Sequence, residues 1–219
     1  MKPIIHLCGL LFLLILLLII GNGCNITRAI TVEYLPGSAD NGWIKELTIK
    51  NSSAYRPTIA INRFDDERDT NGNVVGALYT RSGKKVETLV TDESPTVIVE
   101  KSLIRQLEAA GFTIIRTSGW NFHPESIPDY LKTDFILGGQ LKAFWVESKA
   151  GFLTSTIDSR VAYDLIIADA RNKKIIWTGQ IAEADTRKSL AHTNDYFWAD
   201  LQASISHSLT LAINQAFQD

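Results

Sequence analysis

Cysteine, histidine and methionine are scarce in this chain of 219 residues, which contains two, four and one of them. Both cysteines, Cys8 and Cys24, lie in the first 24 residues, so the remainder of the chain cannot form an intrachain disulfide. The histidines beyond the amino end are His123, His192 and His207, and no His-x-x-x-His or Cys-x-x-Cys spacing occurs. Because metal sites are usually built from such spacings, we expect no metal centre and no cofactor.

An excess of positive charge is also missing. Lys and Arg number 22 and Asp and Glu number 24, which gives a formal net charge of −2. A protein that binds nucleic acid needs a positive field for the phosphate backbone, so we expect no nucleic-acid partner. The hydrophobic share of 45% and the charged share of 21% are ordinary for a globular protein. This length and composition predict one compact domain.

The amino end has the layout of a signal peptide. Lys2 supplies positive charge, and Leu7–Ile20 is a run of fourteen residues without a charged side chain. A helix that spans a bilayer needs about 20 apolar residues, so the run has the length of a signal-peptide core. Gly21, Asn22, Gly23 and Cys24 follow, and this end resembles the lipobox of bacterial lipoproteins.

The lipobox resemblance implies a signal peptide over residues 1–23, cleavage after Gly23, and acylation of Cys24 as the first residue of the mature chain. Gly21 departs from the family, which usually has an aliphatic residue there, and ordinary secretion or an uncleaved anchor are the alternatives. In the enterobacterial sorting rule an Asp after the cysteine retains a lipoprotein in the inner membrane. Asn25 at that position therefore implies the outer membrane, with the domain facing the periplasm.

Hydrophobic periodicity predicts a polar tether over residues 24–42, with a possible edge strand at Ile30–Leu35, and a single α+β domain over residues 43–219. Strands are predicted at Trp43–Lys50, Thr58–Phe64, Phe112–Arg116, Asp134–Val146, Thr156–Ala168 and Lys174–Ala184. Amphipathic helices are predicted from Pro95 to Ala110 and from Asn194 to Phe217. We expect a mixed, largely antiparallel sheet of about five strands with both helices packed on one face.

The polar segment from Asp65 to Asn73 has oxygen ligands at alternate positions, which would suit calcium. Val74 stands where a calcium loop requires Gly, so a solvated loop is the favoured alternative. Asp66 and Arg68 are spaced to pair within this segment and to fix the turn after a strand. An exposed pair of this kind would add little stability.

Trp120, Phe122 and His123 lie in a loop whose sequence has no periodicity that would bury them. The loop either caps the core or presents an apolar contact to a partner. We therefore take these three residues as the candidate partner contact, with both alternatives open.

Several short motifs resemble YajG-type lipoproteins and the wider group of periplasmic lipoprotein domains that are similar to the amino-terminal domain of TolB. The resemblance is carried by Val32–Pro36, Asp66–Arg68, Val75–Gly76, Thr91–Ser94, Leu107–Phe112 and Asp134–Lys142. It implies an outer-membrane lipoprotein with a small α+β domain, and it brings no catalytic residues.

The sequence contains no Gly-x-Ser-x-Gly elbow, and the Lys-Ser/Thr of a phosphate-binding loop is absent after Gly72 and Gly76. Together with the lipobox, this predicts a non-enzymatic lipoprotein that is anchored through Cys24 and binds an envelope protein or complex. The alternative function is binding of a small ligand, a lipid or a glycan, in a groove between helix and sheet.

Overall fold

A computed structural model describes residues 26–36, 56–70, 72–190 and 195–217. Within these residues the chain forms a mixed sheet of nine strands and two α-helices. The predicted α+β class is confirmed, but the strand count exceeds the five or so expected. Gly23, Cys24, His192 and the strand predicted at Trp43–Lys50 lie outside the described residues.

The strands are short in the first half of the domain and long in the second half. The strands are β1 (Ile26–Ala29), β2 (Thr58–Asn62), β3 (Asp65–Asp66), β4 (Val74–Tyr79), β5 (Lys85–Val90), β6 (Thr113–Thr117), β7 (Phe135–Ala150), β8 (Ser155–Asp169) and β9 (Lys174–Ser189). The helices are α1 (Pro95–Ala109) and α2 (Asp195–Gln215), with a 3-10 turn at Pro124–Ser126. No helix in the described part of the chain is long and apolar enough to span a membrane.

Strand β7 is the centre of the sheet. One of its edges pairs with β8 in antiparallel orientation, and β8 pairs in the same way with β9. The other edge pairs in parallel with three short strands in succession, β2, β3 and β4. Among the described residues, five of the eight strand pairings are parallel, but these are short, and the long antiparallel pairings of β7 with β8 and of β8 with β9 contribute most of the paired residues, so the sheet is mixed as expected. Hydrophobic alternation reports which face of a strand is buried and carries no information on strand direction.

The hairpin of β4 and β5 was not predicted. Val75 and Ala77 are buried while Val74 and Leu78 are also largely covered, so β4 is apolar on both sides and shows no alternation. The start of β5 also shows no alternation, because its first two residues are both exposed. A turn at residues 80–84, with a left-handed Gly83, joins the two strands.

The extended segment after β1 packs along α2 and replaces the edge strand expected at Ile30–Leu35. The backbone N–H groups of Thr31, Glu33 and Leu35 donate to the side chains of Gln202, Ser206 and Thr210, at 3.0, 3.1 and 3.2 Å. Two extended residues rise about 6.6 Å and four helical residues about 6.0 Å, so the two spacings match. Ile30 and Tyr34 point inward and are buried, which makes this segment part of the domain and not of a polar tether.

The sheet is covered on both faces. The larger core lies under both helices and includes Ile59, Leu103, Leu141 and Leu209. A smaller core lies on the opposite face, where the loop between β6 and β7 covers the sheet near Ile136. The two helices therefore share one face, and the aromatic loop covers part of the other.

Candidate functional site

Arg68 closes the turn between β3 and β4 from inside the protein. Its Nε and Nη2 atoms donate to the two carboxylate oxygens of Asp66, each at 2.8 Å. Nη1 donates to the carbonyl oxygen of Val74 at 2.9 Å, and Nη2 donates to that of Gly72 at 2.7 Å. The Arg68 side chain is 2% exposed, so the pair is buried on its cationic side. Such a two-pronged contact fixes both the separation and the orientation of the two groups.

The hydrogen bonds from the Arg68 guanidinium lower the pKa of the Asp66 carboxyl, against a smaller upward effect of burial. Oxygens of Asp66, Gly72 and Val74 in this segment accept hydrogen bonds from Arg68. Of the residues Asp69, Asn71 and Asn73 that would suit calcium, Asn71 lies outside the described residues. No group of three or more Asp, Glu, His or Cys side chains in the described ranges is placed to hold a metal ion. The role of Asp66 and Arg68 in this structure is to hold the turn.

Glu100 is a half-buried carboxyl on α1. It accepts a hydrogen bond of 2.8 Å from the backbone N–H of Phe64, just beyond β2. Burial raises the pKa of Glu100, while the hydrogen bond from Phe64 opposes that rise. Because its partner is a backbone group at the end of a strand, this carboxyl ties α1 to the sheet.

Two hydrogen bonds between the backbone of Trp120 and the side chain of Asn62 hold Trp120 in the core. The Trp120 N–H donates to Asn62 Oδ1 at 3.2 Å, and Asn62 Nδ2 donates to the Trp120 carbonyl at 3.0 Å. The indole Nε1 donates to the carbonyl oxygen of His123 at 3.0 Å. Trp120 is 3% exposed and packs edge-on against Phe122, so the indole serves the smaller core.

Of the three loop residues considered as a partner contact, only two reach the surface. Phe122 is half-buried, with a left-handed backbone, and His123 is exposed. His207 lies on α2, on the opposite face of the sheet, so the structure does not bring these two histidines together. The loop therefore caps the core through Trp120, and a partner contact through Phe122 and His123 stays a prediction.

An apolar groove opens where both helices end. It has a volume of about 220 Å³. Its walls come from the ends of the helices and from the helix-facing side of the sheet, and they comprise Ile59, Gln106, Leu107, Ala110, Phe112, Phe135, Ile167, Ile176 and Phe217. Gln106 is the single polar side chain among these walls. A lining of this kind suits a short apolar group more than a sugar.

Strand β9 is the second candidate for binding. It is sixteen residues long and pairs with β8 on one side. On its outer side, no strand among the described residues pairs with it. Its side chains alternate, with one set turned toward α2 and the other, which includes Ala182 and Ala184, exposed. A long unpaired edge presents a row of backbone N–H and C=O groups to another extended chain.

No protein-family model matches the sequence, and no curated protein matches it. Similarity to solved structures is found at low identity. Protein XCC0632 from Xanthomonas campestris, a DUF330 protein, is 14% identical, with 87% of this chain and 91% of that chain covered and a TM-score of 0.45. Protein CT253 from Chlamydia trachomatis is 12% identical over 74% and 93% of the two chains, with a TM-score of 0.44.

Lipoprotein GNA1162 from Neisseria meningitidis is 14% identical, with 74% of this chain and 99% of that chain covered and a TM-score of 0.39. The solved structures that this chain resembles thus include a bacterial lipoprotein. The similarity is too low to assign a function.

Proposed function

We propose that this protein is an envelope lipoprotein, anchored through acylated Cys24 in the outer membrane, whose periplasmic domain binds an envelope protein without catalysing a reaction. The lipobox-like residues Gly23 and Cys24 after the apolar run support the anchor. The Asp66–Arg68 turn and the order of elements also support the YajG-like relationship. The binding role depends mainly on one observation, the unpaired outer edge of β9.

The edge is suited to an extended segment of a partner. Strand β9 offers a length of about 50 Å at 3.3 Å per residue, far more than a short, protected edge strand would offer. Lys174 and Lys188 lie at its two ends, and the exposed residues between them include the small side chains Ala182 and Ala184. Small side chains leave room beside the backbone for the side chains of an added strand. Backbone pairing supplies affinity in such complexes, and the neighbouring side chains supply specificity.

In-vivo photocrosslinking tests this role. A photoreactive amino acid is placed at Ala182 or Ala184 on β9, and at Ala199, an exposed alanine on α2, as the matched control. We expect a discrete crosslinked envelope protein from the β9 positions and none from position 199. Equal crosslinking at all three positions, or none at any, would refute the β9 interface. A crosslink of this chain to itself would redirect the proposal to self-association.

The apolar groove favours a second function, binding of an acyl chain or a similar apolar group. The groove lies between helix ends and sheet, and its walls are almost wholly apolar. Ile176 lines it and is half-exposed, so Ile176→Asp would place a charge in the groove with little loss of core packing. Mass spectrometry of the gently extracted protein would detect a copurifying lipid. A lipid that is present in the wild type and lost in Ile176→Asp would favour this function.

A further inference from the structure

One end of the sheet brings together five separate parts of the chain. We call it the hairpin end, and it comprises residues 26–28, 79–87, 149–156, 187–190 and 195–198. The strand registers place the first four parts side by side, because β1 starts beside β5, β4 ends beside the end of β7, and β9 ends beside the start of β8. The fifth part, the start of α2, joins them because the Arg28 guanidinium lies 4.1 Å from the centre of the Trp198 ring. The two turns within it touch, since the Arg81 guanidinium lies 5.8 Å from the centre of the Phe152 ring.

The hairpin end is unusually apolar for an exposed surface. Ten large hydrophobic side chains in the described residues are exposed, and six of them lie at this end: Ile26, Val86, Phe152, Leu153, Leu190 and Tyr196. Phe152 and Leu153 form the tip of the turn between β7 and β8, where no periodicity or packing requires an apolar residue. Clustered exposed apolar groups mark a surface that contacts another phase or molecule.

The same end is basic, although the whole chain has a net charge of −2. The basic side chains in its five segments are Arg28, Arg81, Lys84, Lys85, Lys149, Arg187 and Lys188, and the acidic ones are Glu87 and Asp195. Glu87 is buried and accepts a hydrogen bond of 2.6 Å from Arg28. Seven cations stand against these two anions and against Asp185, which lies just outside the segments and pairs with Arg187, so the local excess is four positive charges. A bilayer with anionic lipids attracts such a surface.

The covalent chain places this end close to the membrane. Strand β1 begins at Ile26, two residues after Cys24. Two residues span about 7 Å even when fully extended, so an acylated Cys24 cannot lie far from Ile26. This step rests on the proposed anchor. Given the anchor, the start of β1 must lie at the lipid surface, and the rest of the hairpin end lies beside it.

We propose that the hairpin end docks on the anionic phospholipid surface, with Phe152 and Leu153 inserted in the interfacial region beside the acyl chains of Cys24. Aromatic and aliphatic tips enter that region while neighbouring Lys and Arg side chains stay with the headgroups. Docking fixes the orientation of the domain, because β8 and β9 then run away from the membrane. The unpaired edge of β9 would then run perpendicular to the membrane in the periplasm, with the turn at residues 170–173 about 50 Å from the lipid.

Thiol labelling of the full-length protein tests this orientation. Leu153→Cys places a thiol at the tip of the hairpin end, and Tyr130→Cys places one near the opposite end of the sheet, beside Asp129 and its ion pair with Lys173. The two native side chains are equally exposed, at 73% and 72%, so the free domain would label both at the same rate. Each purified variant is reconstituted in protein-free vesicles of phosphatidylethanolamine and phosphatidylglycerol, and a membrane-impermeant maleimide is added.

We expect Leu153→Cys to react at least about fivefold more slowly than Tyr130→Cys in vesicles, with the difference lost in detergent. Equal rates in vesicles would overturn the proposal. Protection that occurs in native membranes but not in vesicles would also overturn it, because a protein would then be covering this end. A second reporter, Leu190→Cys, is expected to follow Leu153→Cys.

The intact mass of each reconstituted variant separates this proposal from the anchor on which it rests. Acylated protein with equal labelling rates overturns the docking and leaves the anchor standing. Unacylated protein in which residue 153 is still protected supports the docking and overturns the anchor. Unacylated protein with equal rates overturns both.

Discussion

The two edges of β7 are built in opposite ways. Along one edge, three short strands pair in parallel, and side chains close the turns between them, above all Arg68. Along the other edge, β8 and β9 form a long antiparallel meander that ends in an unpaired edge within the described chain. The first edge depends on buried polar contacts, while the second keeps its backbone groups available. The contrast shows that side chains close the parallel edge, whereas the meander ends in a strand whose outer backbone groups pair with no strand in the described chain.

Removal of Arg68 is expected to cause the largest loss of stability at the parallel edge of β7, which we call the closed edge. Arg68→Ala removes the guanidinium that donates to the carboxylate of Asp66 and to the carbonyl groups of Gly72 and Val74. Loss of one partner from a fully buried ion pair costs about 3–5 kcal/mol. Because the Asp66 side chain is 33% exposed, solvent screens the charge left behind, and we expect the free energy of unfolding in urea to fall by about 3 kcal/mol, the lower end of this range. Arg68→Lys should fail to restore it, because an ammonium group cannot make the two-pronged contact. Arg81→Ala, at an exposed turn, is the control, and an equal loss there would contradict the assignment.

Gly76→Ala should disrupt the pairing of β4 with β7. A Cβ atom at Gly76 would overlap the carbonyl oxygen of Val146 on β7, so one of the two strands must move. We expect a loss of about 3 kcal/mol in thermal or urea unfolding, which is the usual upper range for overpacking. Gly83→Ala is the comparison, because Gly83 has a φ of +82° but nothing within 4 Å of the added Cβ. Its cost should be limited to about 1 kcal/mol of backbone strain.

Acid should weaken the closed edge through Asp66. Arg68 lowers the pKa of this carboxyl in the folded protein, so the pair contributes stability above the unfolded pKa of about 3.9. That contribution is lost as the pH falls through the lower, folded pKa. The difference in unfolding free energy between wild type and Asp66→Asn should be constant above about pH 5 and shrink below about pH 4. Asp69→Asn, an exposed neighbour, should show no such difference, and a difference that grows in acid would contradict the pairing.

Substitutions at the unpaired outer edge of β9, which we call the open edge, should change the stability least. Ala182 and Ala184 are exposed, so replacing both with Lys is expected to change the unfolding free energy by less than about 0.5 kcal/mol. Lys on an edge strand opposes addition of another strand. Crosslinking from a photoreactive residue at Gln180 should therefore fall by about tenfold, the equivalent of 1.4 kcal/mol in affinity. Unchanged crosslinking would show that the partner does not use this edge.

The meander was predictable from sequence because its strands alternate and follow one another directly. The predicted strands at Thr156–Ala168 and Lys174–Ala184 fall within β8 and β9. The predicted ends of both helices lie within two residues of the observed ends. The parallel edge was not predictable in the same way. Its strands pair with residues far along the chain, and β4 is apolar on both sides, so neither partner nor direction appears as a local pattern.

The candidate sites, too, were predictable only where their contacts are local in the sequence. The spacing of Asp66 and Arg68 indicated a local pair, but its burial follows from the carbonyl groups of Gly72 and Val74, which only the fold brings to Arg68. Trp120 was placed in a loop without periodicity, and its burial depends on Asn62, 58 residues away. The groove, the open edge of β9 and the hairpin end each combine distant segments. For these three, the one signal in the sequence was the apolar pair Phe152 and Leu153 between the predicted strands Asp134–Val146 and Thr156–Ala168.

The intact mass of the protein extracted from separated membranes tests the proposed anchor most directly. Wild type and Cys24→Ser are compared in the native host or a related bacterium. We predict a mass corresponding to residues 24–219 plus acyl chains, found with the outer membrane and lost in Cys24→Ser. A mass of all 219 residues, or an unacylated mature chain, would contradict the identification of this protein as a lipoprotein.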